Sequence, residues 1–396
     1  MQSASIAPQN VILFEPDLSE TTTIARAQEF ADVGFRPIVL GFRRARYNRH
    51  YSAPWPEIEL GRTEDARYWR RVQALLGALP AILRCRVLFK SGALFLARNL
   101  DQLVLAIVAR GFFNRRIFLI YEVVDIHPTL TRNSLSCRFI RMIERLCLKR
   151  VSLVVVSSPA FLRDYFAAVQ GYRGEWTVVE NKLRLPRSEV TYAVRQRERV
   201  NRPLLGGKRW VIGYFGLIRG QATIELIVRL ARRLPDRIEF RFRGVLTTVD
   251  EKWFRQAIAQ ARNISYGGEF TNPADLADLY GSVDLAWALD LENTESNSRW
   301  LLPCRFYESG LFGVPCIAVR DFEIGALIKR LDVGWTFDHP LDESLYRFFS
   351  ELTRTSYEEK RRKLIAYPTE TFVANGSDDT LVRKLRKLGW PTVVGD

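Results

Sequence analysis

A cation and a carboxylate stand three residues apart near the start of a predicted helix, within residues 297–319, NSRWLLPCRFYESGLFGVPCIAV. Pro303 suits the first turn of a helix, because its missing N–H would have no partner there. Gly313 stands where a left-handed residue ends a helix, and the apolar run CIAV predicts a buried strand. Arg305 and Glu308 therefore share one helix face. Helix N–H groups and Arg305 suit a phosphate, and Glu308 suits a pair of sugar hydroxyls.

This stretch resembles the donor-binding motif of GT-B glycosyltransferases, in particular family-four-like enzymes of bacterial exopolysaccharide biosynthesis. The family pattern P-x-K-x-x-E-x-x-x-x-G-x-P-V-I is matched, with Arg in place of Lys, at Pro303, Arg305, Glu308, Gly313, Pro315 and Ile317. The resemblance implies that Glu308 binds the ribose of a nucleotide-sugar donor. Trp300 stands where such enzymes often carry a second acid that contacts the donor sugar. The sugar and the stereochemistry of transfer are therefore left open.

The rest of the chain alternates between strand and helix patterns. A strand over residues 10–14, a helix over 21–33 and a strand over 36–42 predict a βαβ opening. Its first turn has no GxGxxG, which argues against a dinucleotide site there. Together with the resemblance, this pattern predicts an α/β fold of the GT-B type, with two Rossmann-like, doubly wound domains facing each other across a cleft.

The predicted domain order follows from the Pro- and Gly-broken, charged stretch in the middle of the chain. An N-terminal domain over residues 1–184 is followed by a linker over 185–208 and a C-terminal domain over 209–369. The resemblance implies that the N-terminal domain binds the acceptor and that the C-terminal domain binds the nucleotide-sugar. The resemblance implies that a helix within residues 370–396 crosses back to the N-terminal domain.

An acid and a histidine follow the strand predicted over residues 117–124. Ligands of open α/β sheets lie at the carboxyl ends of strands, so Asp125, His127 and Glu122 are catalytic candidates there. A general base would deprotonate the acceptor hydroxyl if the reaction inverts. Asp125 ranks ahead of the other two. The alternative is that Asp125 caps the next turn and His127 is a structural hydrogen-bond donor.

The C-terminal domain opens with the strand and turn WVIGYFGLIRG. The resemblance implies that this turn meets the donor diphosphate through Gly216 and the cation of Arg219, although Arg219 also suits an exposed loop. Two later segments supply further donor contacts by the same resemblance, a GGEF turn near the base and a polar loop near the sugar. The residues concerned are Glu269, Phe270, Asn297 and Ser298.

The positive charge is concentrated in the first half. The chain of 396 residues has a formal net charge of +15. Residues 1–200 hold 31 Lys and Arg against 18 Asp and Glu (net +13), and residues 201–396 hold 28 against 26 (net +2). Such a field favours an anionic partner, with a membrane surface or lipid diphosphate ahead of nucleic acid. A basic surface that only aids solubility is the alternative.

Basic and aromatic residues alternate over residues 42–55, which suits a membrane headgroup region or a solvated loop whose aromatics pack onto the domain. An Arg-rich helix over residues 64–84 faces either the core or a bilayer. A helix over residues 136–149 is basic on its polar face. Membrane or acceptor contact is predicted for Arg43, Arg44, Arg46, Tyr47, Arg49, Trp55 and Arg98.

Composition excludes several classes of protein. No run of eighteen apolar residues predicts a membrane-spanning helix, and the N-terminus lacks a secretory pattern. Five scattered cysteines and three histidines form no metal motif, so we expect a reduced cytoplasmic protein with neither a metal nor a further cofactor.

The predicted function is transfer of a sugar from a nucleotide-sugar to an acceptor, with a polyprenyl-diphosphate-linked saccharide in exopolysaccharide assembly as the expected acceptor. The enzyme would work at the inner face of the cell membrane, in peripheral contact with it and without nucleic acid. Two alternatives stay open. One is a nucleotide-sugar epimerase. The other is a non-enzymatic, basic, membrane-associated protein with a degenerate nucleotide cleft, which the replacement of an acid by Trp300 would favour.

Overall fold

A computed structural model describes residues 9–43, 51–62, 68–85, 88–89, 92–185, 187–198, 209–374 and 380–390. The chain forms two compact units. The N-terminal unit comprises Met1–Val179 together with Asn375–Asp396, and the C-terminal unit is Glu180–Ala374.

The described part of the N-terminal unit contains one parallel sheet covered by helices. Its strands are β1 (Asn10–Glu15), β2 (Arg36–Arg43), β3 (Glu57–Arg62), β4 (Gly92–Arg98), β5 (Phe118–Val123), β6 (Leu153–Val156) and β7 (Trp176–Val178). Its α-helices are α1 (Thr21–Asp32), α2 (Tyr68–Arg84), α3 (Asn99–Phe113) and α4 (Leu135–Leu148). A 3₁₀ turn spans Pro128–Leu130 and a π-helix spans Phe161–Ala167.

The strand order in this sheet is β3-β2-β1-β4-β5-β6-β7. The order therefore reverses between β1 and β4, as in a doubly wound fold. Apolar residues such as Ile12 and Leu96 are fully buried, because helices cover both faces of a parallel sheet. The predicted βαβ opening is confirmed, with β1, α1 and β2 at almost the predicted positions.

The C-terminal unit repeats this architecture. Its strands are β8 (Trp210–Ile218), β9 (Ile238–Leu246), β10 (Ile264–Tyr266), β11 (Leu285–Trp287), β12 (Cys316–Val319) and β13 (Gly334–Phe337). Its helices are α5 (Arg187–Glu198), α6 (Gln221–Arg233), α7 (Glu251–Ile258), α8 (Leu276–Gly281), α9 (Asn297–Trp300), α10 (Cys304–Leu311), α11 (Glu323–Leu331), α12 (Leu341–Glu351) and α13 (Arg354–Ala366). A 3₁₀ turn spans Thr369–Thr371.

The strand order in the C-terminal sheet is β10-β9-β8-β11-β12-β13, with every pairing parallel. The order reverses between β8 and β11. In open α/β sheets the crevice outside the carboxyl ends of two such strands is where ligands bind. The C-terminal ends of β8 and β11 are therefore the first place to look for a site in this unit.

The segment between the predicted domains is more ordered than its sequence indicates. Helix α5 lies inside the predicted linker over residues 185–208 and belongs to the C-terminal unit. Ala193 is buried there, and Arg197 Nη2 donates to the backbone oxygens of Leu364 (2.8 Å) and Tyr367 (2.6 Å). A helix therefore forms in this charged segment and contacts the rest of the C-terminal unit through Ala193 and Arg197.

Helix α14 (Thr380–Lys387) belongs to the N-terminal unit, where Leu381, Val382 and Leu385 join the hydrophobic core. Helix α2 faces the same unit with the buried residues Ala78 and Ile82. Across the described ranges, none of the helices has both the length and the apolar character needed to cross a bilayer.

Candidate functional site

The helix that carries the predicted donor motif forms where the sequence indicates. Helix α10 begins at Cys304. Pro303 has an extended backbone and is the N-terminal cap, so it lies just before the first turn, in which it was predicted. Gly313 has a φ of +68°, which confirms the left-handed residue predicted after the helix. Arg305 lies in the first turn and Glu308 in the second, followed by the fully buried strand β12.

Glu308 is buried, and both of its carboxylate oxygens accept hydrogen bonds from side chains. The Tyr280 hydroxyl donates to Oε2 at 2.7 Å, and Asn272 Nδ2 donates to Oε1 at 3.2 Å. Burial raises the pKa of Glu308, while the Tyr280 hydroxyl, the charge of Arg305 and the Asn272 amide act against this rise. Each oxygen retains a lone pair for a ligand hydroxyl. The carboxylate is thus oriented by the protein yet able to accept more hydrogen bonds.

Arg305 joins the two strands at which the sheet order reverses. Its Nη1 donates to the Trp287 backbone oxygen at the end of β11 (3.1 Å), and its Nη2 donates to the Leu217 oxygen in β8 (3.2 Å). Its guanidinium carbon lies 4.2 Å from the centre of the Tyr214 ring, within the range of a cation–π contact. Arg305 therefore holds a positive charge at the crevice where ligands of such sheets bind.

Arg219 lies at the same end of the sheet, in contact with two acids. Its Nε lies 2.7 Å from Asp290 Oδ2 and 3.6 Å from Glu292 Oε2. Sequence reasoning missed Asp290, although an acid directly after the apolar run of β11 is a signal for a site residue. These carboxylates balance the charge of Arg219, so binding of a diphosphate there would require Arg219 to exchange partners.

The last residues of β8 lie unusually close to the backbone of β9. Gly216 in β8 pairs with Gly244 in β9, and both have positive φ, +105° and +136°. A Cβ on Gly244 would lie 1.8 Å from the Gly216 carbonyl oxygen, so a side chain is excluded at this position.

The other predicted donor residues lie on three segments. Asn297 and Ser298 are buried in α9, where Ser298 Oγ accepts a hydrogen bond from the Asn293 N–H at 3.1 Å. Glu269 is exposed and Phe270 is half-buried, in the loop that also brings Asn272 to Glu308. The ligand contacts predicted for these four residues stay predictions.

Glu122, predicted as a candidate base, belongs to a buried cluster of charges in the N-terminal unit. Its carboxylate pairs with Arg26 and with Arg98, whose Nη2 lies 2.8 Å from Glu122 Oε2. Burial opposes ionisation, but the two guanidinium groups outweigh it and lower the pKa of Glu122 to about 2. Such a weakly basic carboxylate is a poor proton acceptor near neutral pH. The geometry therefore favours an ion-pair role for Glu122.

Glu15, the last residue of β1, belongs to the same cluster and was missed by the sequence reasoning. It is fully buried, and its Oε2 accepts from Thr23 Oγ1 at 3.1 Å and lies 3.4 Å from Arg98 Nη1. Among the described residues, Glu15 Oε1 has no hydrogen-bond partner. Burial raises the pKa of Glu15 to about 7, although Arg98 opposes the rise. The sequence signal that could have identified Glu15 as a site residue is its position as an acid at the carboxyl end of the first strand.

Asp125 and His127 are exposed just after β5, as expected for residues at the carboxyl end of a strand. His127 caps the 3₁₀ turn: its Nδ1 accepts from the Thr129 N–H at 3.3 Å and lies 2.9 Å from Thr129 Oγ1. His127 therefore has a structural contact, but as a cap that accepts a hydrogen bond and not as the donor that was expected. The exposed carboxyl of Asp125 is the more accessible candidate for contact with an acceptor.

The predicted surface residues divide into three groups. Arg98 and Trp55 are buried, Arg98 in the charge cluster and Trp55 in the hydrophobic core, so neither presents its side chain to a surface. Arg43 is half-buried, with Nη2 2.9 Å from Glu57 Oε2 and Nε 3.2 Å from Glu59 Oε2. The remaining four lie outside the described residues: Arg44, Arg46, Tyr47 and Arg49.

Two doubly wound α/β units, the second with a buried acid and an arginine on the helix before β12, match the GT-B fold predicted from the sequence. The chain is 28% identical over 381 residues to the succinoglycan biosynthesis protein ExoL of Rhizobium meliloti strain 1021, covering 96% of this chain and 93% of that protein. No protein-family model matches the chain.

Solved structures share the fold at low sequence identity. Sucrose-phosphate synthase from Thermosynechococcus elongatus superposes with a TM-score of 0.68 at 14% identity, covering 96% of this chain and 99% of that one. Anabaena HepE in complex with UDP and glucose superposes with a TM-score of 0.67 at 17% identity, covering 96% and 98%. The predicted GT-B fold and the predicted resemblance to glycosyltransferases of exopolysaccharide biosynthesis are confirmed.

Proposed function

We propose that this protein transfers a sugar from a UDP-sugar to a saccharide carried on a polyprenyl diphosphate, in the assembly of a bacterial exopolysaccharide. The similarity to ExoL, a succinoglycan biosynthesis protein, supports the pathway class. The shared fold with HepE, which binds UDP and UDP-glucose, supports the donor class. The observation that carries the proposal is the buried carboxylate of Glu308, held by Tyr280 and Asn272 beside Arg305.

In this proposal Glu308 accepts hydrogen bonds from the two ribose hydroxyls of the donor. A buried carboxylate forms strong hydrogen bonds to such hydroxyls, because little water competes for its lone pairs. Tyr280 and Asn272 fix the direction of those lone pairs before the donor arrives. Arg305 holds the ends of β8 and β11 in register and supplies positive charge nearby.

The leaving diphosphate is stabilised by fixed positive groups at the carboxyl end of β8, with no metal or further cofactor in the proposal. Backbone N–H groups after Gly216 and the guanidinium of Arg219 are the candidates. Arg219 exchanges its contact with Asp290 for one with the diphosphate. The exchange would turn the Arg219 guanidinium from Asp290 towards the donor.

The acceptor hydroxyl attacks the anomeric carbon of the donor sugar, and the bond from that carbon to the diphosphate oxygen breaks. In an inverting reaction, Asp125 takes the proton of the acceptor hydroxyl, and the nucleotide leaves as UDP. Asp125 suits this role because its carboxyl is exposed at the carboxyl end of β5.

We also place the enzyme in peripheral contact with the inner face of the cell membrane. The acceptor would be anchored there by its lipid, with its diphosphate at the surface. The net charge of +13 over residues 1–200 supports this partner, since anionic surfaces attract basic proteins.

Calorimetry with UDP, GDP, CMP and ADP tests the donor site. UDP alone should bind, and Glu308→Ala and the milder Glu308→Gln should each weaken it by about tenfold or more, because a ribose contact of over ~1.4 kcal/mol is lost. Glu351→Ala removes an exposed acid at the end of α12 and should leave UDP binding unchanged. Undiminished affinity in a folded Glu308→Gln protein would remove Glu308 from the site.

Turnover of a UDP-sugar in the presence of membrane lipid extract tests the acceptor side. Asp125→Ala should suppress turnover by about 100-fold while UDP affinity is retained. Equal turnover in this variant would mean that another group takes the proton or that the reaction needs no base.

A further inference from the structure

One helix of the N-terminal unit exposes a row of large apolar side chains. In α4, Leu135 is 82% exposed, Phe139 57%, Met142 46% and Leu146 54%. Their spacings of four, three and four residues place them on one stripe of the helix surface. We call these four residues the α4 stripe. Single exposed apolar residues are ordinary, but a contiguous row of them marks an interaction site.

Packing within the unit does not account for the α4 stripe. The helix is anchored by its other face, where Cys137, Glu144 and Leu148 are buried. Glu144 Oε1 accepts from the Tyr121 hydroxyl at 2.7 Å, which ties α4 to the sheet. At about 100° per residue, the α4 stripe lies roughly 180° from this buried face. The helix is therefore apolar on two opposite sides, one of which is solvent-exposed.

The charges around the α4 stripe are positive. Arg138, Arg145 and Lys149 are exposed and, at about 100° per residue, form a row along one side of the stripe. Arg145 is held in place, since its Nη2 donates to the Val169 backbone oxygen at 2.9 Å. The only acid in the sequence from residue 132 to 150 is Glu144, on the buried face, against six Lys and Arg.

An apolar stripe beside a row of cations fits the surface of an anionic bilayer. Apolar side chains enter the boundary between headgroups and acyl chains, and the adjacent cations meet lipid phosphates. A second copy of this chain packed antiparallel against the α4 stripe would bring the two rows of cations towards each other, which electrostatic repulsion disfavours. Charge complementarity thus favours a lipid surface over self-association.

We propose that α4 lies on an anionic membrane surface with Leu135, Phe139, Met142 and Leu146 inserted below the headgroups. This inference rests on the membrane contact in the proposed function and assigns that contact to a specific helix. It differs from the sequence-based expectation, which considered membrane contact at residues 42–55 and at the helix over 64–84 as one of two alternatives for each. Of the residues named there, Trp55 is buried in the core.

Co-sedimentation with vesicles tests this assignment. The full chain should bind vesicles of phosphatidylcholine with about 30% phosphatidylglycerol more tightly than vesicles of pure phosphatidylcholine. Raised salt should weaken binding to the anionic vesicles. The double variant Phe139→Ser, Leu146→Ser should bind the anionic vesicles with an affinity reduced by about tenfold or more. Tyr192→Ser is the matched control, since Tyr192 is 51% exposed on α5 of the C-terminal unit.

Three outcomes would overturn the assignment: no binding of the wild-type chain to anionic vesicles, equal binding by the double variant, or a wild-type dimer in light scattering that the double variant abolishes. UDP calorimetry on the same proteins separates this inference from the proposed function, because α4 contributes no residue to the donor site. A far-UV circular dichroism spectrum and a thermal unfolding curve that match those of the wild type show that the double variant is folded. Failure of UDP binding with intact vesicle binding would count against the donor proposal alone.

Discussion

Removing a single hydroxyl group tests the proposed donor site. In Tyr280→Phe, the carboxylate of Glu308 loses its 2.7 Å hydrogen bond, while the ring and its stacking against Phe312 remain. The Tyr280 hydroxyl opposes the effect of burial, so its loss raises the pKa of Glu308 further. The ionised carboxylate is then harder to form.

The size of the effect follows from the strength of this bond. A buried hydrogen bond to a charged group contributes about 1.5–3 kcal/mol. If donor binding needs the ionised carboxylate, affinity is full at high pH and falls as the pH drops through the pKa of Glu308. In the variant, the affinity for UDP begins to fall at a higher pH than in the wild type, because the pKa of Glu308 is higher. At a pH where both proteins are mostly protonated at Glu308, the variant should therefore bind UDP about 10- to 100-fold more weakly, with little difference at high pH.

Calorimetry with UDP from pH 5 to pH 9 measures this difference directly. Tyr357→Phe is the control, because its hydroxyl is also buried in the C-terminal unit but donates to the Asp284 backbone oxygen at 2.9 Å. Equal affinities of wild type and Tyr280→Phe at every pH would refute the assignment of Glu308 as a ligand that must be ionised. A loss of affinity that is the same at all pH values would point to misfolding of the site.

Two further predictions concern stability. Burial raises the pKa of Glu15 from 4.5 to about 7, so the folded state favours the protonated acid, and the stability from this group is full below pH 4.5 and lost as the pH rises through about 7. Between pH 4.5 and pH 8, the unfolding free energy of the wild-type N-terminal unit should fall by about 3 kcal/mol relative to that of Glu15→Gln. Urea unfolding followed by pulse-labelled hydrogen exchange of peptides from this unit measures the difference. A difference that does not change with pH contradicts this prediction. Gly244→Ala should lower the unfolding free energy by about 3 kcal/mol, because its Cβ would meet the Gly216 oxygen at 1.8 Å in a backbone with φ of +136°. Gly268→Ala has a positive φ but no atom within 4 Å, so it should lose only about 1 kcal/mol; equal thermal-unfolding shifts would mean that the clash is relieved by movement.

Much of the fold could be predicted from the sequence, because the signals that start and end its elements are local. An apolar run bounded by polar residues predicts a strand, and a Pro before and a Gly after a periodic segment delimit helix α10. Alternation of strand and helix then leaves few topologies for a parallel sheet. The resemblance over residues 303–317 adds the predicted donor contact of Glu308, which stays a prediction, while the structure shows that Glu308 is buried on helix α10.

The surroundings of each charge depend on residues far away in the chain. Asn272 and Tyr280 reach Glu308 from 36 and 28 residues earlier, so their contacts depend on which strands become neighbours. The two carboxyls Glu15 and Glu122 have the same local chemistry. Burial without enough compensation raises the pKa of one, whereas two guanidinium groups lower that of the other.

The sequence by itself determined the alternation of strands and helices, the donor motif and the basic character of the first half, because each is a property of neighbouring residues. Only the tertiary structure decided that Arg305 joins β8 to β11, that α5 packs within a charged segment, and that the α4 stripe is exposed. An apolar residue has the same sequence signature in a core and on a surface. Burial is settled by what packs against it, and that depends on the arrangement of the whole unit.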